Sequence, residues 1–380
     1  MRIGVIGAGQ LGRMLAQAGA PLGHEFRFYD SNPNACAQEH GALVCGAFDD
    51  LDQLERFASD VDVVTCEFEN VPASSLDHLA RIIEVRPSAT SFRVAQDRLL
   101  EKRCFEQCAI GVGPYANVES LDDAQQSVRS MGVPGLLKSR SGGYDGKGQA
   151  SIDSIEDVEP AWASLGGRPS LYETRVPFTR ELSIVGARNV GGVVATYPLV
   201  ENVHSNGILV ATRAPAPDVD DMMRETSAHA LESVMRSLDH VGVMAIEFFQ
   251  ADGRLLANEM APRVHNTGHW TIEGAPVSQF ANHVRAICGA DPSSAHPDGH
   301  TLMLNVLGAF PDRAHIDEIE GVHWHDYAKA PRPGRKVGHV SVCATSEESV
   351  LERVRQLATD EALHKAIPGL GVVEELLRVS

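Results

Sequence analysis

Two periodicities divide the chain, and the clearest is a period of two on either side of Asp252-Gly253. In AIEFFQADGRLLANEMAPRVHN, residues 245–266, Ile246, Phe248 and Phe249 mark a first arm and Leu255, Leu256 and Met260 a second. Asp-Gly between such arms predicts a hairpin, because glycine accepts positive φ without steric cost. A three-residue loop there puts Glu247 and Glu259 on one sheet face, directly opposite or one diagonal step apart, with Cβ atoms about 5 to 8 Å apart. Two carboxylates so placed repel unless a cation lies between them, and a hard ion such as Mg²⁺ takes oxygen ligands. The plainer reading is a solvated hairpin whose acids face water. Arg263, His265 and Asn266, three ligand-competent side chains in four residues, follow the second arm and weigh against it.

From the start of the chain, Arg2 to Ile6 is a short apolar strand, followed by GAGQLG and the helical pattern RMLAQAGAPLG. Gly7, Gly9 and Gly12 have the GxGxxG spacing, which lets amides at a helix start approach an anion, and Asp30 ends the next strand. Taken alone this reads as a dinucleotide site with Asp30 on a ribose, although such strand–turn–helix units hold many phosphate ligands. A helix over DDLDQLERFAS and a strand in VDVVTCEFENV continue the βα repetition and predict a parallel sheet. Glu67 and Glu69 fall at that strand's carboxyl end, as ligands or as solvated loop acids with equal weight. Pro87 in VRPSATSFRV then interrupts the pattern and marks a boundary. The next helix, AQDRLLEKRCFEQC, carries Arg98, Lys102 and Arg103, basic residues that ordinarily solvate a face.

Residues 134–149, PGLLKSRSGGYDGKGQ, are a strand end and a glycine-dense loop. Such a loop folds over polyphosphate, its amides and Lys147 facing the charge while Lys138 reaches in from the strand. It lacks the Lys-Ser/Thr of a Walker A loop. SLYETRVPF gives a strand with Glu173 at its end, and TRELSIVGAR a further strand led by Glu181. A crossing segment of this kind is where adenine could meet backbone groups; cross-strand charge pairing is the alternative for both acids. More antiparallel sheet follows, with His204 in a turn region, where a lone histidine is ordinarily a surface residue. A helix over DVDDMMRETSAHALESVMRSLD, with Met223, Ala230, Val234 and Leu238 on its apolar side, leads into the hairpin.

TIEGAPVSQFANHVRAICG reads as another helix and GADPSSAHPDGH as a second boundary. The remaining strands and a helix from Ser346 predict a small mixed domain. His323 and His325 share one strand face without an acid or Cys to complete a tetrahedral set, so they read as structural. KAPRPGRK, with Lys329, Arg332, Arg335 and Lys336, is the dense basic cluster of an otherwise acidic chain, and a phosphate-bearing small substrate explains it.

Composition restricts the partners. The 380 residues carry a net charge of −18, which argues against nucleic acid and anionic membrane. Apolar content of 43% with 22% charged residues is that of a soluble globular protein of two or three domains. Seven scattered cysteines without a CxxC pair suit a reducing, cytoplasmic setting. There is no signal-peptide pattern and no apolar run long enough to span a bilayer.

A glycine loop behind a lysine, acids after a strand, then a hairpin with two acids and an Asn: this order resembles the ATP-grasp superfamily. GAGQLGRML, EFENV, QDRLLEK, KSRSGGYDGKGQ, GVMAIEFF, NEMAPRVHNTGHWT and RPGRKVGH, in this order, resemble the 5-(carboxyamino)imidazole ribonucleotide synthases of purine biosynthesis from Met1 to about Val342. The resemblance implies an α/β and α+β chain with an ATP-grasp fold. It implies an N-terminal Rossmann-like (pre-ATP-grasp) domain over residues 1–92 and an ATP-grasp domain over 93–292, with a glycine-loop subdomain over about 110–178. A small C-terminal mixed domain would occupy 293–380. The implied reaction uses ATP and bicarbonate to carboxylate the amine of 5-aminoimidazole ribonucleotide through carboxyphosphate, in de novo purine (IMP) biosynthesis.

The same resemblance assigns residues. Arg98, Lys138, Gly143, Tyr144, Asp145, Gly146, Lys147, Gly148 and Gln149 would hold the ATP phosphates. Glu173, Thr174, Arg175 and Val176 would border adenine, Glu181 the ribose, and His204 and Asn258 the nucleotide side. Glu247 and Glu259 would bind Mg²⁺, or Mn²⁺ in its place. Gln10, Leu11, Tyr144, Asp145, Lys329 and Arg335 would hold the ribonucleotide, turning the GxGxxG segment into a substrate-phosphate site. Arg263, His265 and Asn266, with Asp145, would be the catalytic group where bicarbonate or carboxyphosphate meets the amine. A homodimer is usual for the family. YETRVPF departs mildly from it, since Val-Glu more often precedes the linker. The competing readings are another carboxylate–amine ligase or biotin-carboxylase-like enzyme, an NAD-dependent oxidoreductase, and a non-catalytic nucleotide-binding module. The oxidoreductase leaves the Gly143 loop and the acid pair unexplained.

Overall fold

The computed structural model describes residues 1–143, 148–293, 296–311 and 319–371. The N-terminal βα repetition folds as its periodicity predicts, into four parallel strands in the order Ala42–Cys45, Glu25–Asp30, Arg2–Ile6, Val63–Cys66. Just beyond Pro87 the chain turns into helix. Ser88 caps a helix, Ala89–Ala95, by accepting the Ser91 N–H, and Asp97 caps the next, Arg98–Gln107. A side-chain oxygen at each start satisfies amides that the helix itself cannot, and so allows two short helices to follow each other closely.

A second, antiparallel sheet runs Tyr115–Val118, Ser170–Thr174, Gly135–Ser139, Gln149–Ile152, and carries the glycine loop between its last two strands. The third sheet is the frame of the molecule. Its order is Arg254–Ala261, Gly242–Ala251, Arg180–Arg188, Val200–Ser205, Ile208–Ala214, His300–Leu307, Lys336–Ala344, Val322–Asp326, with Val194–Thr196 paired to Arg180–Arg188. Because Ile208–Ala214 pairs antiparallel with His300–Leu307, the C-terminal strands extend the central sheet instead of packing against it as a separate layer. Helix Glu347–Ala358, capped by Ser346, covers these strands through Val350, Val354 and Leu357.

The hairpin is buried on both faces. Val243, Ala245 and Ala261 join a core with Trp270, Phe280, Val284 and, from the first helix, Leu11, Met14 and Leu15. Met244, Ile246, Phe248 and Met260 face the other way, onto Phe105, Leu231 and Val234. Each such side chain contributes about 1.5–3 kcal/mol when fully buried, so the hairpin ties the N-terminal helix, the central sheet and the long helix Asp221–Ser237 together. Two buried histidines add polar pegs to the same junction. His240 contacts Ser91 Oγ at 3.1 Å and Val243 O at 3.0 Å, while His283 meets Thr65 Oγ1 at 2.8 Å and accepts the Val243 N–H at 3.0 Å. No described helix is long and apolar enough to cross a membrane.

Candidate active site

Glu247 and Glu259 are directly opposite each other, by a different route from the one the sequence suggested. Ala251 pairs with Arg254, so the turn is only two residues, Asp252 and Gly253, with φ of 49° and 72°. That register alone would set Glu247 against Asn258 and send Glu259 to the other face, since side chains alternate along a strand. A bulge corrects it: Phe248 pairs with Ala257, Glu247 with Glu259, and Asn258 is the extra residue. The bulge is held from the neighbouring helix. Lys102 Nζ donates to Asn258 O at 2.8 Å, and Glu101 Oε1 accepts the Met260 N–H at 2.6 Å. Both side chains are almost fully buried. Lys102, which the basic helix pattern consigned to solvent, is thus an internal support of the acid pair.

The same helix face reaches the second sheet. Lys138 Nζ donates to Glu173 Oε2 at 2.7 Å, and Lys102 Nζ stands 3.8 Å from Glu173 Oε1. Burial alone would raise the Glu173 carboxyl, but the two ammonium groups outweigh it and bring it down to about 2. Glu173 is therefore a fixed counter-charge for Lys138, the charge-pairing alternative that the sequence left open for it. In the crossing segment, Thr174 N–H donates to Pro114 O at 3.2 Å and Arg175 N–H to Pro134 O at 2.9 Å. Those two amides are committed to the protein, which leaves Val176 N–H as the amide of this segment without a partner among the described residues. The glycine loop is closed at its base by Ser139, whose N–H and Oγ both donate to Gly148 O, at 2.8 and 3.1 Å. Tyr144, Asp145, Gly146 and Lys147 lie outside the described residues.

Across the hairpin, Glu259 Oε2 lies 3.6 Å from Arg98 Nη1. Glu247 faces His265 Nε2 at 3.6 Å. His204 is not in a turn: it sits on strand Val200–Ser205 at a bulge and places Nδ1 3.1 Å from Glu181 Oε2. Burial, and then Glu259 and Glu181, push the Glu247 carboxyl up to about 8, against the opposing pull of His204 and Lys336. For His204, burial acts downward but Glu181 and Glu247 outweigh it and raise the imidazole. One donor atom each from Glu181, His204 and Glu247 fall within 4.8 Å of one another. A crowd of carboxylates that cannot all ionise comfortably in a buried site fits a hard dication, which accepts oxygen ligands and removes the repulsion.

Beyond the second arm, Arg263 Nη2 donates to Glu69 Oε2 at 2.7 Å, joining the hairpin to the N-terminal domain. His265 Nδ1 meets Thr267 Oγ1 at 2.9 Å and accepts the Thr267 N–H at 3.4 Å, which favours the neutral ring with its proton on Nε2, toward Glu247. Burial, then Arg263 and Lys336, hold His265 well below its ordinary range and keep it neutral. Both polar side-chain atoms of Asn266 are buried without a hydrogen-bond partner among the described residues. An orphaned carboxamide costs about 1–3 kcal/mol per group, a cost expected where a ligand supplies the missing partner.

The glycine turn holds an anion, and that anion belongs to the protein. Glu67 Oε1 accepts the Gly9 N–H at 2.8 Å, and Oε2 those of Leu11 and Gly12, each at 3.1 Å. A Cβ on Gly7 would meet Glu67 Cγ at 2.7 Å, and one on Gly9 would meet Oε1 at 2.8 Å. The GxGxxG spacing makes room for Glu67, and Asp30 accepts the Ala8 N–H at 2.7 Å instead of a ribose hydroxyl. This removes the dinucleotide reading. The Leu11 amide is thus committed to Glu67, while the amide of Gln10 has no partner among the described residues. Lys329 stands over the Tyr327 ring, 5.6 Å from its centroid, and burial lowers its amine against the opposing pull of Glu67; Arg335 Nη1 donates to Ala330 O at 3.1 Å.

Three family patterns match the chain in succession: the ribonucleotide synthetase preATP-grasp domain over residues 1–96, the ATP-grasp domain over 103–280, and the phosphoribosylaminoimidazole carboxylase C-terminal domain over 301–353. The chain is similar to the N5-carboxyaminoimidazole ribonucleotide synthase of Pseudomonas aeruginosa, with 43% identity over 96% of this chain and 100% of the relative. Its structure is similar to the N5-carboxyaminoimidazole ribonucleotide synthetase of Thermus thermophilus, at a TM-score of 0.90 and 45% identity, covering 94% and 98% of the two chains. It is also similar to the Aspergillus clavatus synthase in complex with ADP and 5-aminoimidazole ribonucleotide, at a TM-score of 0.87 and 27% identity over 97% and 98%. The paired hairpin acids, the fixed lysine and the matching domain series have one common explanation: the chain belongs to the N5-carboxyaminoimidazole ribonucleotide synthase family.

Proposed function

We propose that this protein is an ATP-dependent carbon–nitrogen ligase that carboxylates the amine of 5-aminoimidazole ribonucleotide, using bicarbonate, in purine biosynthesis. The observation that carries the residue assignment is the pair Glu247 and Glu259, set opposite each other by the Asn258 bulge and flanked by Arg98 and His265. Glu247 and Glu259 would hold Mg²⁺, or Mn²⁺, with Glu181 and His204 close behind Glu247. Such an ion neutralises charge on the ATP phosphates when bound. Arg98 and Lys138 lie on the phosphate side, and Lys138 is pre-oriented by Glu173. Val176 N–H, without a partner among the described residues, would meet adenine.

Bicarbonate attack on the γ-phosphorus gives ADP and carboxyphosphate. The amine nitrogen then bonds the carboxyl carbon as that carbon's bond to the bridging oxygen breaks, and phosphate leaves with that oxygen and takes up the amine proton. Arg263 and the open carboxamide of Asn266 suit the anionic carboxyphosphate, while His265 presents Nε2–H and holds no positive charge of its own. Preorganised donors of this kind dominate catalysis of phosphoryl transfer. The ribonucleotide phosphate would sit on Gln10 N–H, Lys329 and Arg335. A dimer and a cytoplasmic setting complete the reading, supported by family usage and by the cysteine pattern.

The test is ADP release with each component omitted in turn. Release that requires both the ribonucleotide and bicarbonate is expected; equal turnover without the ribonucleotide would sink the assignment.

A further inference from the structure

Gln279 is wholly buried at the first position of helix Gln279–Ile287, and its side chain takes no part in the substrate contacts described above. Its amide instead grips the backbone of the reactive segment at both polar groups of one residue. Gln279 Oε1 accepts the His265 N–H at 2.9 Å, and Nε2 donates to the His265 carbonyl at 2.6 Å. A backbone N–H can only donate and a carbonyl can only accept, so this pairing fixes which way the amide points. The second Nε2 hydrogen is then directed at His269 Nδ1, 3.1 Å away. His269 can accept it because burial, then His325, Lys336 and Arg263, bring the ring down to about 3 and leave it neutral. Those groups, with His339 tilted against the ring at 4.9 Å and Tyr327 edge-on at 6.4 Å, are its titratable neighbours among the described residues.

A second observation points the same way. Gly268 ends the turn Asn266–Gly268, and a Cβ there would fall 2.5 Å from Gln279 Oε1 and 2.7 Å from Cδ. Gly268 has no positive φ. The glycine is therefore demanded by the approach of Gln279, not by backbone conformation. Thr271 completes the clamp: its Oγ1 accepts the Gln279 N–H at 2.9 Å and donates to Gly268 O at 2.6 Å.

We propose that Gln279 is the positioning residue that fixes His265 and Asn266 against the hairpin acids, and that an amide is required there because three fixed neighbours demand one acceptor and two donors. The proposal rests on the reading that residues 263–266 face the transferred group. A displacement of about 1 Å in such a segment costs on the order of 100-fold in rate.

The experiment measures kcat and KM for ATP and ribonucleotide in Gln279→Met, Gln279→Glu and Asn266→Ala. Gln279→Met fills the space without polar atoms and should lower kcat about 100-fold while leaving the ATP KM within about threefold. A kcat within about threefold of wild type, alongside an impaired Asn266→Ala, overturns the proposal alone. A fully active Asn266→Ala overturns the underlying reading and the proposal with it.

Gln279→Glu keeps the shape and guards against a variant that does not fold. At high pH its carboxylate would face the His265 carbonyl with no proton to give; protonation of the buried carboxyl at lower pH restores an O–H donor to that carbonyl. Its activity relative to wild type should therefore rise about tenfold from pH 8.5 to 6. A constant ratio across that range overturns the role assigned to the amide.

Discussion

Replacing Lys102 with methionine keeps the stem of the side chain and removes its charge. Two kinds of interaction disappear: the charge-assisted hydrogen bonds to Asn258 O at 2.8 Å and, more weakly, to Ala257 O at 3.4 Å, and the attraction to Glu173 at 3.8 Å. The first is worth about 1.5–3 kcal/mol. The second is about 4 kcal/mol at an effective dielectric of about 20, before the cost of burying the ammonium is subtracted. Burial already pulls the Lys102 amine downward against Glu173, so that cost consumes most of the Coulombic gain. Lys138 continues to neutralise Glu173 at 2.7 Å. A net loss of about 3 kcal/mol remains, which lowers the melting temperature by about 6–12 °C for a unit of 150–250 residues.

The bulge carbonyl then has no donor, and Glu259 loses its fixed position opposite Glu247. The variant should need at least about tenfold more Mg²⁺ for half-maximal ADP release, the range seen when groups supporting a metal ligand are removed. Differential scanning fluorimetry and a Mg²⁺ titration of the coupled ADP assay read the two effects separately. A melting temperature that falls with an unchanged Mg²⁺ requirement would refute the link between the bulge and the acid pair.

Glu259→Ala should cut turnover by about two to three orders of magnitude at ordinary Mg²⁺, and a fully active variant removes this residue from the metal set. Lys329→Ala should raise the ribonucleotide KM about 10- to 100-fold, as loss of one charged contact implies, with the ATP KM unchanged; the reverse pattern in initial-rate kinetics reassigns the residue. His240 and His283 are neutral in the fold, each brought down to about 3 by burial, whereas in the unfolded chain they take a proton near pH 6.5. The unfolded state therefore binds more protons below pH 6.5, and the stability these residues contribute is present above that pH and lost between 6.5 and 3. Each should cost about 2 kcal/mol at pH 5, and His283→Gln should make acid unfolding by urea titration shallower; an unchanged acid limb would falsify the assignment.

Much of the site could be read from the order of residues, and what could not has a physical cause. The hairpin arms announce themselves because alternation and Asp252-Gly253 are local signals. The bulge at Asn258 is not local: Glu101 holds Met260 from 159 residues upstream, and Lys102 holds Asn258 from 156. Lys102 looks like any basic helix residue until the sheet closes over it. Glu67 shows the same limit in reverse. GxGxxG is a local pattern for holding an anion, and it does hold one, but which anion is decided by a carboxylate 58 residues away from Gly9. Gln279 gave no signal, since a neutral amide in an amphipathic helix carries neither charge nor periodicity. Gly268 was the available hint, a glycine within a specific motif that no turn geometry requires.

The extra residue in the second arm also changes how many functional groups one strand can offer to one face. Ala257 and Met260 are three positions apart, yet both join the core of Phe248 and Ile246, the residues they pair with. Asn258 and Glu259, between them, therefore turn together to the opposite face, where strict alternation would send one of them into the core. Two neighbouring polar side chains thus stand where a regular strand would supply one. The apolar pairing does not depend on that extra group: a chain lacking Asn258 could still set Phe248 against Ala257 and Glu247 against Glu259. Polar content of the site and register of the core can accordingly vary independently at this position, so the strand's capacity for chemistry exceeds what its pleat would allow.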